Sequence, residues 1–271
     1  MPYPYFNGWC GDIDLIGEKK PQSYYRDVVW GRSPITMAVE LPCPQGYHRE
    51  ISGWGWQPEV NAWEAPETFF TRHNLPNILY NETEPAFLLN DTQISDLTRA
   101  LSHTVSVNVY SKAKMVRLYL NDRLIGTKAT SDTYHAGFEV DYEPGVLRAV
   151  EWDGEKEGAA FELKTCGKAA ALRLKTDSYD SLTYITCELV DAEGNVLHDY
   201  EGKVSFSISD TGKGGSGKMA ILAAGNANPT DMESFRTLSP RFYDGRAMAV
   251  VSGHGGILTV KSGKLGIKKE I

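Results

Sequence analysis

From about residue 103 onward, apolar and polar positions alternate. Val105, Val107 and Val109 are separated by polar residues, and Val116, Leu118 and Leu120 repeat the pattern. A period of two marks a strand with one buried face. Asn121-Asp122 turns the chain toward Leu124-Ile125-Gly126, and His135 to Val140 and Val146 to Trp152 add two strands around Glu143-Pro144-Gly145. Short strands at roughly ten-residue spacing predict a β-sandwich over residues 103–166. The rhythm returns over 167–271. Strands are expected from Leu172 and Leu174, over Leu182 to Leu189, Val204 to Ile208, Ala247 to Val251 and Ile257 to Val260. Gly194-Asn195 supplies residues that tolerate positive φ for a turn between Val190 and Val196.

Residues 1–102 have a different texture, irregular and rich in Trp, Pro and Tyr. A short apolar segment, Ile13-Asp14-Leu15-Ile16, is bounded by Gly11 and Gly17. Pro21 near the start and Gly31 past the end punctuate a short helix whose apolar face carries Tyr24 and Val28. A strand or loop followed by a helix reads as one βα unit, which must bury its apolar face against something else. Ile35 to Leu41 reads as a strand. Ser52-Gly53-Trp54-Gly55-Trp56-Gln57-Pro58 with Trp63 is an indole-rich loop, either a sugar-stacking platform or a set of anchors fixing an irregular segment to a sheet. Between Glu64 and Thr104 the prolines at 66, 76 and 85 break the pattern and no element is predicted. Asn81-Glu82-Thr83 and Asn90-Asp91-Thr92 fit the glycosylation sequon, a pattern too common to carry weight.

Composition narrows the function more than the fold. Of 271 residues 41% are hydrophobic and 23% charged, ordinary for a globular chain. The net charge of −7 speaks against nucleic-acid binding, which rests on Lys and Arg displacing counterions from phosphates. No run of about 18 apolar residues reads as a membrane span, and no basic region followed by an apolar stretch opens the chain as a signal peptide. Cys10, Cys43, Cys166 and Cys187 are far apart, and the six His residues lack metal-ligand spacing, so no metal and no cofactor are expected. A Cys166–Cys187 disulfide stays open at this level.

The sharpest motif is deceptive. Gly212-Lys213-Gly214-Gly215-Ser216-Gly217-Lys218-Met219 nearly matches a phosphate-binding loop, but Met219 stands where a hydroxyl must reach Mg²⁺. The helix such a loop should open is also interrupted by Gly225-Asn226-Ala227-Asn228-Pro229. Glycoside hydrolysis requires two carboxyl groups facing across the scissile bond. Asp12 and Asp14 are close in sequence but alternate across an extended strand. No catalytic pair is assigned within the chain, and no nucleophile elbow is present.

Longer segments resemble glycoside hydrolase family 2 of the bacterial β-galactosidase type. Trp9-Cys10-Gly11-Asp12-Ile13-Asp14-Leu15-Ile16-Gly17 with Lys19-Lys20-Pro21-Gln22-Ser23-Tyr24-Tyr25-Arg26-Asp27-Val28-Val29-Trp30 looks like the last strand, loop and helix of the family's catalytic barrel. Ser52-Gly53-Trp54-Gly55-Trp56 is similar to the tryptophan segment that follows. Val116 to Gly126 resembles an immunoglobulin-like domain after the barrel. Tyr184 to Val196 and Ala223 to Phe235 resemble the last domain. The resemblance implies a mainly β fold: two immunoglobulin-like β-sandwich domains preceded by a short α-containing remnant of a (β/α)8 barrel. It implies exo-hydrolysis of terminal β-galactosides or related glycans by the whole enzyme, with carbohydrate as partner and a periplasmic or extracellular location. The family's two glutamates sit on earlier barrel strands, so neither is assigned to any residue here. Residues near the strand ends of such barrels face substrate, which makes Trp9 and Asp12, then Trp54 and Trp56, the substrate-contact candidates. A lone βα remnant also exposes an apolar face, which favours self-association. A stand-alone carbohydrate-binding or adhesion module is the competing reading, and an autonomous enzyme with a hidden carboxylate pair is a third.

Overall fold

The computed structural model describes residues 11–49, 59–70, 79–80, 89–200, 202–210, 219–229 and 231–271. Residues 11–13 and 19–165 form one compact unit, and residues 14–18 with 166–271 form another. Each is built around its own pair of antiparallel sheets, so the mainly β, two-sandwich expectation holds.

The first unit opens with the predicted helix. A 3-10 turn over Pro21–Ser23 leads into α1 (Tyr24–Val29), and Gly31 ends it with φ +71°. The strands that follow are β1 (Ile35–Glu40), β2 (His48–Arg49), β3 (Glu59–Val60), β4 (Leu79–Tyr80), β5 (Thr104–Ser111), β6 (Met115–Leu120), β7 (Arg123–Ala129), β8 (His135–Asp141), β9 (Val146–Trp152) and β10 (Glu157–Lys164). One sheet runs β3-β1-β5-β8 and the other β10-β9-β6-β7; β2 and β4 pair separately. The alternating valines do what their period requires. Val105, Val107 and Val109 from one sheet share a core with Val116, Leu118 and Leu120 from the other. Asn121 and Asp122 both adopt positive φ, the geometry of a tight hairpin turn. Gly145 has no substitute, because a Cβ there would lie 1.8 Å from the Asn121 side-chain oxygen.

A sandwich starting at residue 103 leaves out two strands. β1 pairs along its whole length with β5, from Ile35 opposite Ser111 to Glu40 opposite Ser106, and β3 extends the sheet beyond β1. The reason is complementarity: β5 needs a neighbour on each side, and Ile35, Met37 and Val39 supply the missing inward face. A second difference lies at Asp91–Arg99, which forms a helix, α2, where no element is expected. Asn90 accepts from Gln93 N at 3.0 Å and Gln93 returns a bond to Asn90 N at 2.9 Å. This reciprocal capping box identifies the Asn-Asp-Thr triplet as a helix start. Ile94 and Leu97 on α2 then close a satellite core with Phe69 and Phe70.

The second unit contains β11 (Ala171–Tyr179), β12 (Leu182–Val190), β13 (Ser205–Asp210), β14 (Ala220–Gly225), β15 (Arg246–Ser252), β16 (Gly256–Ser262) and β17 (Leu265–Glu270). Its sheets run β11-β12-β15-β14 and β13-β16-β17. Ile185, Cys187 and Leu189 from β12 meet Phe206, Leu258 and Val260 from the opposite sheet. Cys187 is a buried thiol whose pKa burial pushes up to about 12, and Cys166 donates its S–H to Val196 O at 2.8 Å. The two are therefore not bridged.

Trp63 settles as an anchor. It is fully buried, donates its indole N–H to Glu143 O at 2.9 Å, and packs against the Tyr142 ring, tilted at 49° with centroids 5.1 Å apart. Thr165 Oγ1 donates in turn to Trp63 O at 2.9 Å. Truncation loses the packed indole and leaves a core cavity, so Trp63→Ala is expected to lower unfolding free energy by about 3–5 kcal/mol, read as a shifted denaturant midpoint. A midpoint unchanged from the parent chain would return Trp63 to the surface platform.

Candidate functional site

Of the four substrate-contact candidates, Trp9, Trp54 and Trp56 lie outside the described residues. Asp12 is described, and its surroundings are ionic. Its Oδ2 accepts from Arg26 Nη1 of α1, while its backbone carbonyl accepts from Lys20 N at 2.8 Å. Lys19 reaches Asp27 at 2.5 Å from the same segment. The other carboxylate oxygen of Asp12 is buried with no hydrogen-bond partner among the described residues. A buried acceptor left unpaired costs about 1–3 kcal/mol, which makes Asp12 a position that gains from an incoming donor.

The carboxylates that sequence reasoning missed lie on the outer faces of the sheets. Glu40 and Glu59 are direct cross-strand partners in β1 and β3. Glu59 is buried, and its Oε1 accepts from Asn108 Nδ2 at 2.7 Å and from the Tyr110 hydroxyl at 2.9 Å. Burial pushes the Glu59 carboxyl above its ordinary range, and the Glu40 charge adds to the shift. His135 completes the row at 2.9 Å from Asn108 Oδ1, and burial lowers its pKa. The arrangement brings two carboxyl groups to one face. Glu59 is too enclosed for a sugar to pass between them, and its contacts are those of a satisfied buried acid.

In the second unit Glu188 on β12 is fully buried. Its register places Arg173 of β11 and Arg246 of β15 directly across, with Lys175 one diagonal step away. Arg173 Nε donates at 2.7 Å, Lys175 Nζ lies at 2.7 Å and Arg246 Nε at 3.1 Å. Burial works against the Glu188 charge, but the hydrogen bonds from Lys175 and Arg173 and the Arg246 charge hold its pKa down. Asp244, opposed by burial but paired with His198 and Arg246, is held near about 2. A carboxylate locked by three cations is unavailable as a nucleophile or an acid. Residues 212–218 of the apparent phosphate motif lie outside the described residues, and Ala220–Gly225 after them is a strand, not the helix a phosphate loop opens. Among the described residues no three His, Cys, Asp or Glu side chains converge to hold a metal, and no helix is long and apolar enough to cross a membrane.

Each unit is an antiparallel β-sandwich, and that is the class of protein the fold defines. Residues 168–270 match the glycoside hydrolase family 2 C-terminal domain 5, and residues 102–159 match a domain of unknown function, DUF4982. Residues 168–270 are thus a family 2 C-terminal domain, and the matches together support a C-terminal portion of that family's architecture. The chain is 28% identical over 153 residues to the β-galactosidase BoGH2A of Bacteroides ovatus, a match covering 54% of this chain and 17% of that protein. A family 2 glycosyl hydrolase from Bacteroides cellulosilyticus is 27% identical with a TM-score of 0.71, covering 97% of this chain and 32% of that one. A β-glycosidase from Bacteroides vulgatus shares the fold at a TM-score of 0.66 and 18% identity, over 99% of this chain and 29% of that one. The chain thus spans at most about a third of the length of these relatives.

The turn at residues 14–18 carries a titration. Asp14 Oδ1 accepts from Ile16 N and Glu18 N, both at 2.9 Å, yet burial raises its pKa from 3.8 to about 6. The folded state therefore binds a proton more tightly than the unfolded chain. This contribution is fully present below about pH 4 and is lost as pH rises through about 6. Partial exposure of Asp14 reduces the full linkage value to about 1 kcal/mol. Asp14→Asn keeps an acceptor for both N–H groups, so it is expected to match the parent at pH 4 and to exceed it by about 1 kcal/mol at pH 7 in denaturant unfolding. A constant difference at both pH values would remove the titration of Asp14 as the cause.

Proposed function

We propose that this chain is the non-catalytic C-terminal part of a β-galactosidase-type retaining glycosidase. Its two sandwiches brace the catalytic barrel and help shape one wall of the sugar pocket. The observation that carries this reading is the fate of the carboxylates. Glu188 and Asp244 are bound to cations and Glu59 is enclosed by Asn108 and Tyr110, so none is free to face another across an open cleft. The substrate class rests on the resemblance and on the relative BoGH2A, a β-galactosidase. Substrate reaches this part of the enzyme through Trp9, Asp12, Trp54 and Trp56, and the unpaired Asp12 oxygen supports an approach there.

Two further readings belong to this proposal. The apolar face of the barrel remnant meets the rest of the barrel or a second copy; Ile13 and Trp30, each 58% exposed, support a surface that is covered in use. The whole enzyme works in the periplasm or outside the cell, on glycans.

The test is hydrolysis of p-nitrophenyl β-galactoside, β-glucoside and β-glucuronide by the purified chain and by the full-length enzyme in parallel. Turnover is expected in the full-length enzyme alone, fastest on the galactoside. Asp12→Ala in that enzyme is expected to lower kcat/KM about ten-fold, the scale of one lost charge-assisted contact. Turnover by this chain that survives repurification would overturn the non-catalytic reading.

A further inference from the structure

In the first unit α1 lies on the outer face of the sheet β3-β1-β5-β8. Along β1 the residues Ile35, Met37 and Val39 enter the core, so Thr36 points outward, yet it is only 1% exposed. The helix covers it. Thr36 Oγ1 donates to Tyr24 O at 3.4 Å, the Tyr25 ring meets the Tyr110 ring edge-on at 5.1 Å, and Lys112 Nζ donates to Val29 O at 2.8 Å. One strip of this face is thus already an interface. The cover thins across the sheet: Ser106, Asn108 and Tyr110 of β5 are half-buried, and Glu139 and Asp141 of β8 are exposed.

The uncovered part is acidic. Register sets Glu59, Glu40, Ser106 and Glu139 in one row across the four strands, with Asp141 two residues further along β8. Glu139 Oε1 accepts from Ser106 Oγ at 2.6 Å and Asp141 Oδ1 from Thr104 Oγ1 at 2.5 Å, and neither has a Lys or Arg partner among the described residues. His135 beside the row has its pKa lowered by burial, so it supplies no charge at neutral pH. The opposite sheet of the same unit treats its charges differently. On the outer face of β10-β9-β6-β7, Arg148 pairs with Glu157 at 3.1 Å and Lys164 with Glu162 at 3.2 Å. One outer face neutralises itself, and the other leaves like charges close together beside a docked helix. Such a face is repulsive alone and gains from a cationic cover. Ile13 and Trp30, on the segment that carries α1, are exposed and give the same cover apolar ground.

We propose that the outer face of β3-β1-β5-β8 beside α1 seats the part of the enzyme that precedes Asp12, through Lys and Arg side chains that reach Glu139 and Asp141. The inference rests on the reading above, in which α1 is the last helix of a catalytic barrel. It adds the face on which that barrel is braced and the charge the barrel presents there. A helix about 10 Å across spans about two strands at roughly 4.8 Å spacing, so a larger body around α1 has the rest of the face within reach.

The test is carboxyl footprinting, carbodiimide-activated labelling with glycine ethyl ester read by peptide mass spectrometry, on the chain alone and on the full-length enzyme. Glu139 and Asp141 are expected to label freely in the chain and about five-fold more slowly in the enzyme, as water is excluded from an interface core. Glu155, exposed between β9 and β10, is the internal reference. In the full-length enzyme Glu139→Lys is expected to return Asp141 labelling to the level of the chain alone. Where Glu139→Lys lowers the Tm of the chain alone, Glu139→Gln, which keeps an acceptor for Ser106, is read in its place. Equal labelling of Glu139 and Asp141 in chain and enzyme overturns the docking face, and so does Asp141 protection that survives the substitution at 139. Labelling of the chain alone that falls as its concentration rises assigns the face to a second copy and overturns it as well. Footprinting needs no turnover, so its outcome is separate from that of the activity test.

Discussion

An antiparallel sheet has one face that must leave water, and each half of this chain hides that face against a second sheet of its own. In the first unit Val107 and Leu118 meet from opposite sheets; in the second, Ile185 and Leu258 do the same. Burying such side chains contributes roughly 1.5–3 kcal/mol each, and it fixes the strand register. A slip by one residue would turn Val105, Val107 and Val109 outward and bring Ser106 and Asn108 into the core. The turns are consequences of that register, which is why positive φ falls on Asn121, Asp122 and Gly145.

With the inner faces committed to apolar packing, the chemistry of this protein moves to the outer faces and the edges. Glu188 illustrates what an outer face allows. Its three cations are partly exposed while the carboxylate is not, so the cations keep part of their hydration and the carboxylate's desolvation is offset by its three partners. Such a cluster discriminates between registers, because only the pairing that sets Arg173 and Arg246 beside Glu188 neutralises it. The Glu59 row meets the same problem without cations: burial raises the pKa of the acid, and neutral donors from Asn108 and Tyr110 hydrogen-bond its oxygen.

What the sequence made legible follows the same division. Period-two alternation located most of the long strands, and the pair of sandwiches followed from their spacing. The short pieces were harder. β3 is two residues long, and β17 reads Leu-Gly-Ile-Lys-Lys-Glu, whose apolar positions are too few to stand out. α2 has only Ile94 and Leu97 buried, but Asn90 and Gln93 at capping-box spacing carried the signal, masked by the glycosylation triplet they overlap. The charged clusters could not be read beforehand at all. Arg173, Glu188 and Arg246 are 15 and 58 residues apart, and only the register makes them neighbours. Of the site candidates, Asp12 gains a definite environment, an ion pair to α1 and an unpaired oxygen, that its place in a Gly-Asp-Ile-Asp segment did not announce.

The edges are where such a fold has freedom left. A sandwich that is not a closed barrel leaves strand edges with unpaired backbone groups, and these invite uncontrolled pairing unless something covers them. In the second unit the segment 226–240 does this, sending backbone bonds to both β14 and β13. The segment is held by backbone bonds where it meets the strands and by its own polar side chains between them, Asn226 to Asp231 and Glu233 to Lys203. Here they form a fixed set of amides and carboxylates next to an exposed ring, while the sheets beneath supply the rigidity. The core cannot host polar recognition without losing its packing, and the outer face that carries Glu188 has tied its charges to one another. A loop pinned at both ends to rigid strands escapes both limits, because its polar side chains pair with one another without displacing any packing in the core.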